Sequence, residues 1–307
     1  MLRSLLLRAA GSRRLRALAE AAPMTRSVVR RFIAGDTIDD GLAAARRLAD
    51  SGLFATIDVL GEDTTDPGQA ERATTAYLDL LAKVPDAGLV GSLDVSLKLT
   101  SLGATLPGGA EAAHRNARRI CEAAGTVGAT VTIDAEDHTT LDQMHGIVDQ
   151  LRTEFPGIGL VLQAMLFRTP LDARKYAGPG SRVRLCKGAY NEPPTVAWPG
   201  RDQVTAAYVA AARTLFEGQG YPMLATHDPE LIAAAAVLAA DTGRQPGDYE
   251  FQMLYGIRTD EQQRLADAGH RVRIYVPCGT DWWGYFVRRL AERPANLTFF
   301  LRALVGR

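Results

Sequence analysis

Lysine is scarce in this chain. Lys83, Lys98, Lys175 and Lys187 are the only four among 35 basic residues, and Lys98 and Lys187 fall where a β-rich run gives way to a loop. In Arg182-Val-Arg-Leu-Cys-Lys187 the alternation of an extended chain puts Arg182, Arg184 and Cys186 on one face and Val183 and Leu185 on the other. Arg184 is therefore expected to point inward, where a guanidinium is costly unless a carboxylate or an electron-rich ligand atom meets it. Asp134 and Glu250 are candidate internal partners, and a bound ligand is the other reading. Near the carboxyl end Tyr285, Arg288, Arg289 and Glu292 recur at helical spacing, so they share one side of a helix. The two adjacent arginines stand about 100° apart. Both can converge on one carboxylate or phosphate, each offering a planar fork of donors. A solvated basic edge paired with Glu292 is the plainer reading of the same residues.

A frame that could hold these groups is legible in the apolar periodicity. Short β-rich runs at 53–59, 94–99, 130–133, 159–163, 182–186, 222–225, 250–253 and 273–276 alternate with helical patterns at 69–83, 110–124, 141–155, 203–218, 229–240 and 260–268. Eight strands alternating with helices over about 250 residues predict one (β/α)8 barrel of the TIM type rather than two domains. A doubly wound sheet is the alternative, but neither G-x-G-x-x-G after the first strand nor a phosphate-binding G-x-x-x-x-G-K-[ST] occurs. Barrels carry their active sites at the carboxyl ends of the strands. Here those ends hold Asp58, Lys98, Asp134, Gln163, Arg184 with Lys187, His227, Gln252 with Tyr255, and Tyr275.

Composition narrows the class further. With 47% hydrophobic and 23% charged residues, and 35 basic against 35 acidic, the chain can bury a large core and offers no overall field for nucleic acid. Cys121, Cys186 and Cys278 form no CxxC pair, which implies neither a disulfide framework nor a zinc site. Apolar runs are too short for a transmembrane helix, so a soluble or at most peripheral protein of a reducing compartment is expected. The amino terminus stands apart: Arg3, Arg8, Arg13, Arg14, Arg16, Arg26, Arg30 and Arg31 face the single acid Glu20. Such a segment reads as a transit peptide, a membrane-surface helix or a plain solvated helix, and residues 1–35 are taken as a basic helical arm before a catalytic barrel at 36–307. Asp134-Ala-Glu-Asp-His138 has the look of a metal cluster, but neighbours in an extended segment point to opposite sides, so no metal is expected. No G-x-S-x-G elbow marks a nucleophile.

Seven segments, in order, resemble the successive motifs of the proline dehydrogenase family. They are Ser96-Leu-Lys-Leu-Thr-Ser-Leu102, Thr132-Ile-Asp-Ala-Glu136, Leu162-Gln-Ala164, Arg184-Leu-Cys-Lys-Gly-Ala-Tyr190, Ala225-Thr-His227, Glu250-Phe-Gln-Met-Leu-Tyr-Gly256, and Tyr275-Val-Pro with Tyr285-Phe-Val-Arg-Arg-Leu-Ala-Glu292. The resemblance spans roughly residues 30 to 305 and is to the compact monofunctional bacterial form. It implies a distorted barrel with its last helix over the mouth, holding FAD noncovalently. The implied reaction is oxidation of L-proline to Δ1-pyrroline-5-carboxylate, the first step of proline catabolism to glutamate, with electrons passed to a membrane quinone. Implied partners are that quinone, peripheral contact with the inner face of the membrane and functional coupling to a pyrroline-5-carboxylate dehydrogenase; the implied location is cytoplasmic.

By the same resemblance Lys98, Arg288 and Arg289 would pair with the proline carboxylate and Asp134 would hold that cluster. Tyr275, Leu254 and Tyr285 would pack on the ring, Tyr275 leaving no room for the hydroxyl of 4-hydroxyproline. Arg184 would approach flavin N5, with Gln163, Lys187, Gly188, Ala189, Tyr190, Thr226, His227, Gln252, Glu292 and Phe299 as further cofactor contacts or supports. Cys186, Asn191 and Cys278 depart from the familiar pattern, none of them in the substrate clamp. Two other functions fit the same rim: an aldolase or lyase forming an imine on Lys98 or Lys187, and a silent amino-acid-binding protein that keeps the arginine pair.

Overall fold

The computed structural model of the chain describes residues 29–61 and 64–292, with side chains through residue 289. Among them, eight parallel strands close into a barrel in chain order, each paired with its sequence neighbours and the eighth with the first. The strands are β1 (Phe54–Val59), β2 (Leu93–Leu97), β3 (Thr130–Ile133), β4 (Gly159–Gln163), β5 (Arg182–Cys186), β6 (Tyr221–Ala225), β7 (Glu250–Leu254) and β8 (Val272–Cys278). The helices are α1 (Ile38–Asp50), α2 (Pro67–Ala82), α3 (Gly109–Thr126), α4 (Leu141–Arg152), α5 (Thr169–Tyr176), α6 (Arg201–Glu217), α7 (Pro229–Thr242), α8 (Thr259–Asp267) and α9 (Trp283–Glu292). None is long and apolar enough to cross a membrane.

Local chemistry explains several boundaries. Asp66 and Asp228 cap α2 and α7, each followed by a proline at the first helical position, where a missing N–H costs nothing. Two helices have no counterpart in the periodicity. α1 buries Gly41, Leu42, Ala44 and Ala45, a face too small-sided to read as apolar, and α5 is only 8 residues long and buries Thr169 and Asp172 beside Ala173 and Tyr176. β2 stops at Leu97, two residues short of the expected end, so Lys98 lies on the loop just past it.

Outward-facing strand residues such as Val95, Leu97, Ile133, Leu160, Leu185 and Phe251 join the helices in the main hydrophobic core. Inside the barrel the packing is polar. Asp94 accepts from Thr56 and Thr132 at 3.0 Å and lies 3.5 and 3.4 Å from Arg182 and Arg184. Arg273 pairs with Glu250 at 2.8 Å and donates to the Ala55 and Ser92 carbonyls. Burial works against the ionised form of Asp94, but Arg182, Arg273 and Arg184 win and hold its carboxyl below the usual range. Gly159 makes the room: a Cβ there would come within 2.8 Å of Thr132 Oγ1.

A second apolar cluster anchors α9. Val29, Phe32, Ile33 and Leu60 pack against Trp282, Trp283, Tyr285, Phe286 and Val287, with Tyr275 against its edge. Ala34 N–H donates to the Pro277 carbonyl and Gly279 N–H to the Gly35 carbonyl, both at 2.9 Å, so the amino-terminal segment straps the end of β8. Each fully buried aromatic or aliphatic side chain here contributes about 1.5–3 kcal/mol. The rest of the expected basic arm, residues 1–28, lies outside the described residues.

Candidate active site

The sequence-expected rim residues come together at the carboxyl ends of the strands. Arg184, 4% exposed, is held from four sides. Its Nη1 donates to Ser96 Oγ and Asp134 Oδ1, both at 2.8 Å, its Nε to the Gln252 side-chain oxygen, and its Nη2 faces Asp94 at 3.4 Å. Gln252 passes the contact on, donating to Glu250 at 2.6 Å. Both partners open to Arg184 are therefore engaged, Asp134 directly and Glu250 through an amide. The guanidinium also lies 5.4 Å from the Tyr275 ring centroid. Tyr275 hydroxyl donates to Asp134 Oδ2 at 2.8 Å, and burial, with Asp134 and Asp58 adding to it, pushes that phenol well above its ordinary 10. It is a neutral donor at working pH.

Lys98 Nζ lies 2.8 and 2.7 Å from the two oxygens of Asp58, at 6% and 0% exposure. Burial raises the Asp58 carboxyl above the usual carboxylate range; Lys98 pulls it down and nearby Asp134 pushes it further up. Asp58 was visible as a strand-end acid, yet nothing in the one-dimensional pattern gave it a role. Ser96 and Glu136 lay within motifs of the resemblance but were given no role. Glu136 accepts from the Thr100 backbone at 3.1 Å, shaping the loop after β2.

The expected cofactor residues form an arc along the ends of β4 to β7. Gln163 donates to the Glu136 carbonyl at 2.8 Å, and Lys187 reaches Asp228 at 2.7 Å and Thr205 at 3.2 Å. Asp228, also the cap of α7, donates its own N–H to Thr226 Oγ1 at 3.0 Å. His227 Nε2 accepts from the Leu254 N–H at 2.9 Å, which fixes the ring and the strand end that presents Leu254. Gly188 holds φ +105°, where a Cβ would overlap Met165, so the chain turns sharply between Lys187 and Ala189. Ala189 and Tyr190 are half-buried, and Arg288 from α9 lies 5.8 Å from the Tyr190 ring centroid. Arg289 lies 5.1 Å from its own helix neighbour Tyr285. Arg288 thus faces the β5 loop across the mouth. Phe299 and the Glu292 side chain lie outside the described residues.

The side chains of the Asp134 to His138 segment go to three separate partners. Asp134 turns to Arg184, Glu136 to Thr100 and His138 to Glu192, and among the described residues no group of three or more His, Cys, Asp or Glu could hold a metal ion.

A family model described as proline dehydrogenase matches residues 41–302. The chain belongs to that family. It is 39% identical over 281 residues to proline dehydrogenase 1 of Bacillus subtilis, covering 92% of each chain. It is 35% identical over 286 residues to proline dehydrogenase of Deinococcus radiodurans, covering 91% of this chain and 90% of that one. The fold agrees with a crystal structure of proline utilization A from Bdellovibrio bacteriovorus inactivated by N-propargylglycine, with a TM-score of 0.80 and 24% identity over 87% of this chain and 32% of that longer one. Proline dehydrogenases are oxidoreductases, so the polar rim belongs to an enzyme rather than to a silent binding protein, and the aldolase reading falls with it.

Proposed function

We propose that this proline dehydrogenase family member oxidises L-proline to Δ1-pyrroline-5-carboxylate with FAD and delivers the electrons to a quinone. The observation that carries the reading is the fixed guanidinium of Arg184, bonded to Asp134 and stacked near Tyr275 beneath the helix that bears Arg288 and Arg289. The donor set suits a flavin dinucleotide. Gln163, Arg184, Lys187, Thr226, His227 and Gln252 lie on consecutive strand ends, and the turn at Gly188 opens the backbone beside them. Ala189 and Tyr190 follow that turn; Glu292 and Phe299 complete the proposed cofactor set. FAD bound there would supply the hydride acceptor.

The chain's own residues do the rest. Lys98, Arg288 and Arg289 bind the substrate carboxylate, and Asp134 orients the clamp through Tyr275 and Arg184. Tyr275, Leu254 and Tyr285 pack on the ring. Fixing the carboxylate fixes the carbon that loses hydride, and such positioning is worth about 7–11 kcal/mol in well-oriented systems. That carbon gives up hydride only when the ring nitrogen is unprotonated, since its lone pair must stabilise the developing iminium. Arg184 offers a positive charge that need not reorganise, which favours negative charge arriving beside it. The reaction opens proline catabolism to glutamate, its product passing to a pyrroline-5-carboxylate dehydrogenase. A cytoplasmic enzyme at the inner face of the membrane, with a basic arm at 1–35 ahead of the barrel at 36–307, fits a membrane quinone as acceptor.

An absorption spectrum of the purified protein before and after anaerobic addition of L-proline tests this. A flavin band that bleaches with proline is the expected result; a colourless protein, or a band indifferent to proline, would overturn the reading.

A further inference from the structure

A lysine more than nine-tenths buried requires a counter-charge, and here that counter-charge has no task in the reaction as described. Lys98 is 6% exposed, Asp58 fully buried, and both carboxylate oxygens face Nζ within 2.8 Å. The two come from paired strands, Asp58 on β1 and Lys98 one residue past β2, so the barrel itself sets their separation. An ammonium buried without a partner shifts toward its neutral form, and a neutral amine cannot attract a carboxylate. Resting on the reading that Lys98 grips the substrate carboxylate, we infer that Asp58 is the positioning residue that keeps Lys98 charged and aimed, without itself touching the substrate.

This pair does not stand alone: Asp134 and Tyr275 both act on Asp58. Facing it are Asp134 past β3, Tyr275 and Cys278 on β8, and Tyr77 on α2. Burial pushes the Tyr77 and Tyr275 hydroxyls well above 10 and the Cys278 thiol up to about 12. Asp134 is committed to Arg184, Ser96 and Tyr275. A pH-dependent loss of binding that appears when Asp58 is neutralised is therefore traceable to Lys98.

The test uses the ring-oxygen analogue of proline, which keeps the carboxylate and lacks the titrating amine. Its affinity for the holoenzyme is measured by calorimetry for wild type, Asp58→Asn, Lys98→Met and the double variant from about pH 6 to about pH 9. Asp58→Asn should match wild type at the acid end and lose affinity by about tenfold per pH unit once Lys98, deprived of the Asp58 carboxylate, deprotonates. The double variant should bind like Lys98→Met at every pH. A profile for Asp58→Asn parallel to wild type, or a double variant weaker than Lys98→Met, overturns the inference. Wild-type affinity in Lys98→Met removes the underlying reading of Lys98, and the inference with it. Should Asp58→Asn fail to fold, the double variant, which buries neither charge alone, carries the comparison with Lys98→Met.

Discussion

At the amino-terminal end of the barrel interior Arg273 faces Glu250 and Arg182 faces Asp94; at the carboxyl end Lys98 faces Asp58 and Arg184 faces Asp134. The residue types are the same, but the electrostatic balance is not. At the floor, attraction outweighs burial: Arg273 and its neighbours hold Glu250 and Asp94 below the usual carboxylate range. At the rim, burial outweighs attraction, and Asp58, with one lysine beside it and a second acid nearby, lies above that range. A floor carboxylate surrounded by arginines is satisfied by the fold alone. The rim carboxylate is held at a cost, at the end of the barrel where Lys187, Leu254, Arg288 and Arg289 are half-buried. Charge pairs thus mark a binding site only where the fold leaves them costly and within reach of a ligand.

The strongest way to break this contrast is at the floor. Arg273→Met leaves Glu250 buried without its cation, and losing one partner of such a pair typically costs about 3–5 kcal/mol. Urea unfolding should show that loss in full; a midpoint equal to wild type would mean the floor network is not structural. Next comes the rim. Arg288→Met or Arg289→Met should weaken proline capture by about 2–5 kcal/mol while flavin content and the unfolding midpoint hold. Unchanged saturation by proline in both variants would remove the clamp.

A smaller effect sharpens what the rim excludes. Tyr275→Ser opens space beside the ring and removes the phenol that bonds Asp134. Efficiency on proline should fall by about 1–3 kcal/mol, with 4-hydroxyproline losing less or gaining. An unchanged ratio of kcat/KM for the two substrates would reduce Tyr275 to core packing. The smallest effect is on acid stability. Because Asp94 and Glu250 are held low in the folded state, their stabilisation is complete above the unfolded carboxylate range and is lost as pH falls through their lowered values. Asp58, held high, acts in the opposite sense: its cost is relieved as pH falls through its raised value. Unfolding free energy measured from neutral pH downward should therefore decline sooner and more steeply in Asp58→Asn/Lys98→Met, which keeps the floor and lacks the offset from Asp58, than in variants of the floor, and coincident profiles would argue against two differently balanced layers.

Periodicity alone carried the barrel, because alternation along each strand and the helical repeat between strands are imposed by burial on two faces. All eight strands fall where that pattern put them, whereas α1, which buries Leu42 among Gly41, Ala44 and Ala45, and the 8-residue α5, which buries Tyr176 among Thr169, Asp172 and Ala173, were not read from it. The inward aim of Arg184 and the placement of Arg288 and Arg289 on one helix were equally legible, since each follows from a local repeat. Which charge meets which was not. Asp58 and Lys98 are 40 residues apart and Ser96 and Arg184 are 88, and their meeting depends on strand register and barrel closure, which no local spacing encodes. The sequence therefore determined the frame and the residue types at its mouth. Only the closed barrel decided that Asp94 and Glu250 would be satisfied by arginines while Asp58 was left with one buried lysine, because desolvation and Coulomb energy depend on distances through the interior and not along the chain.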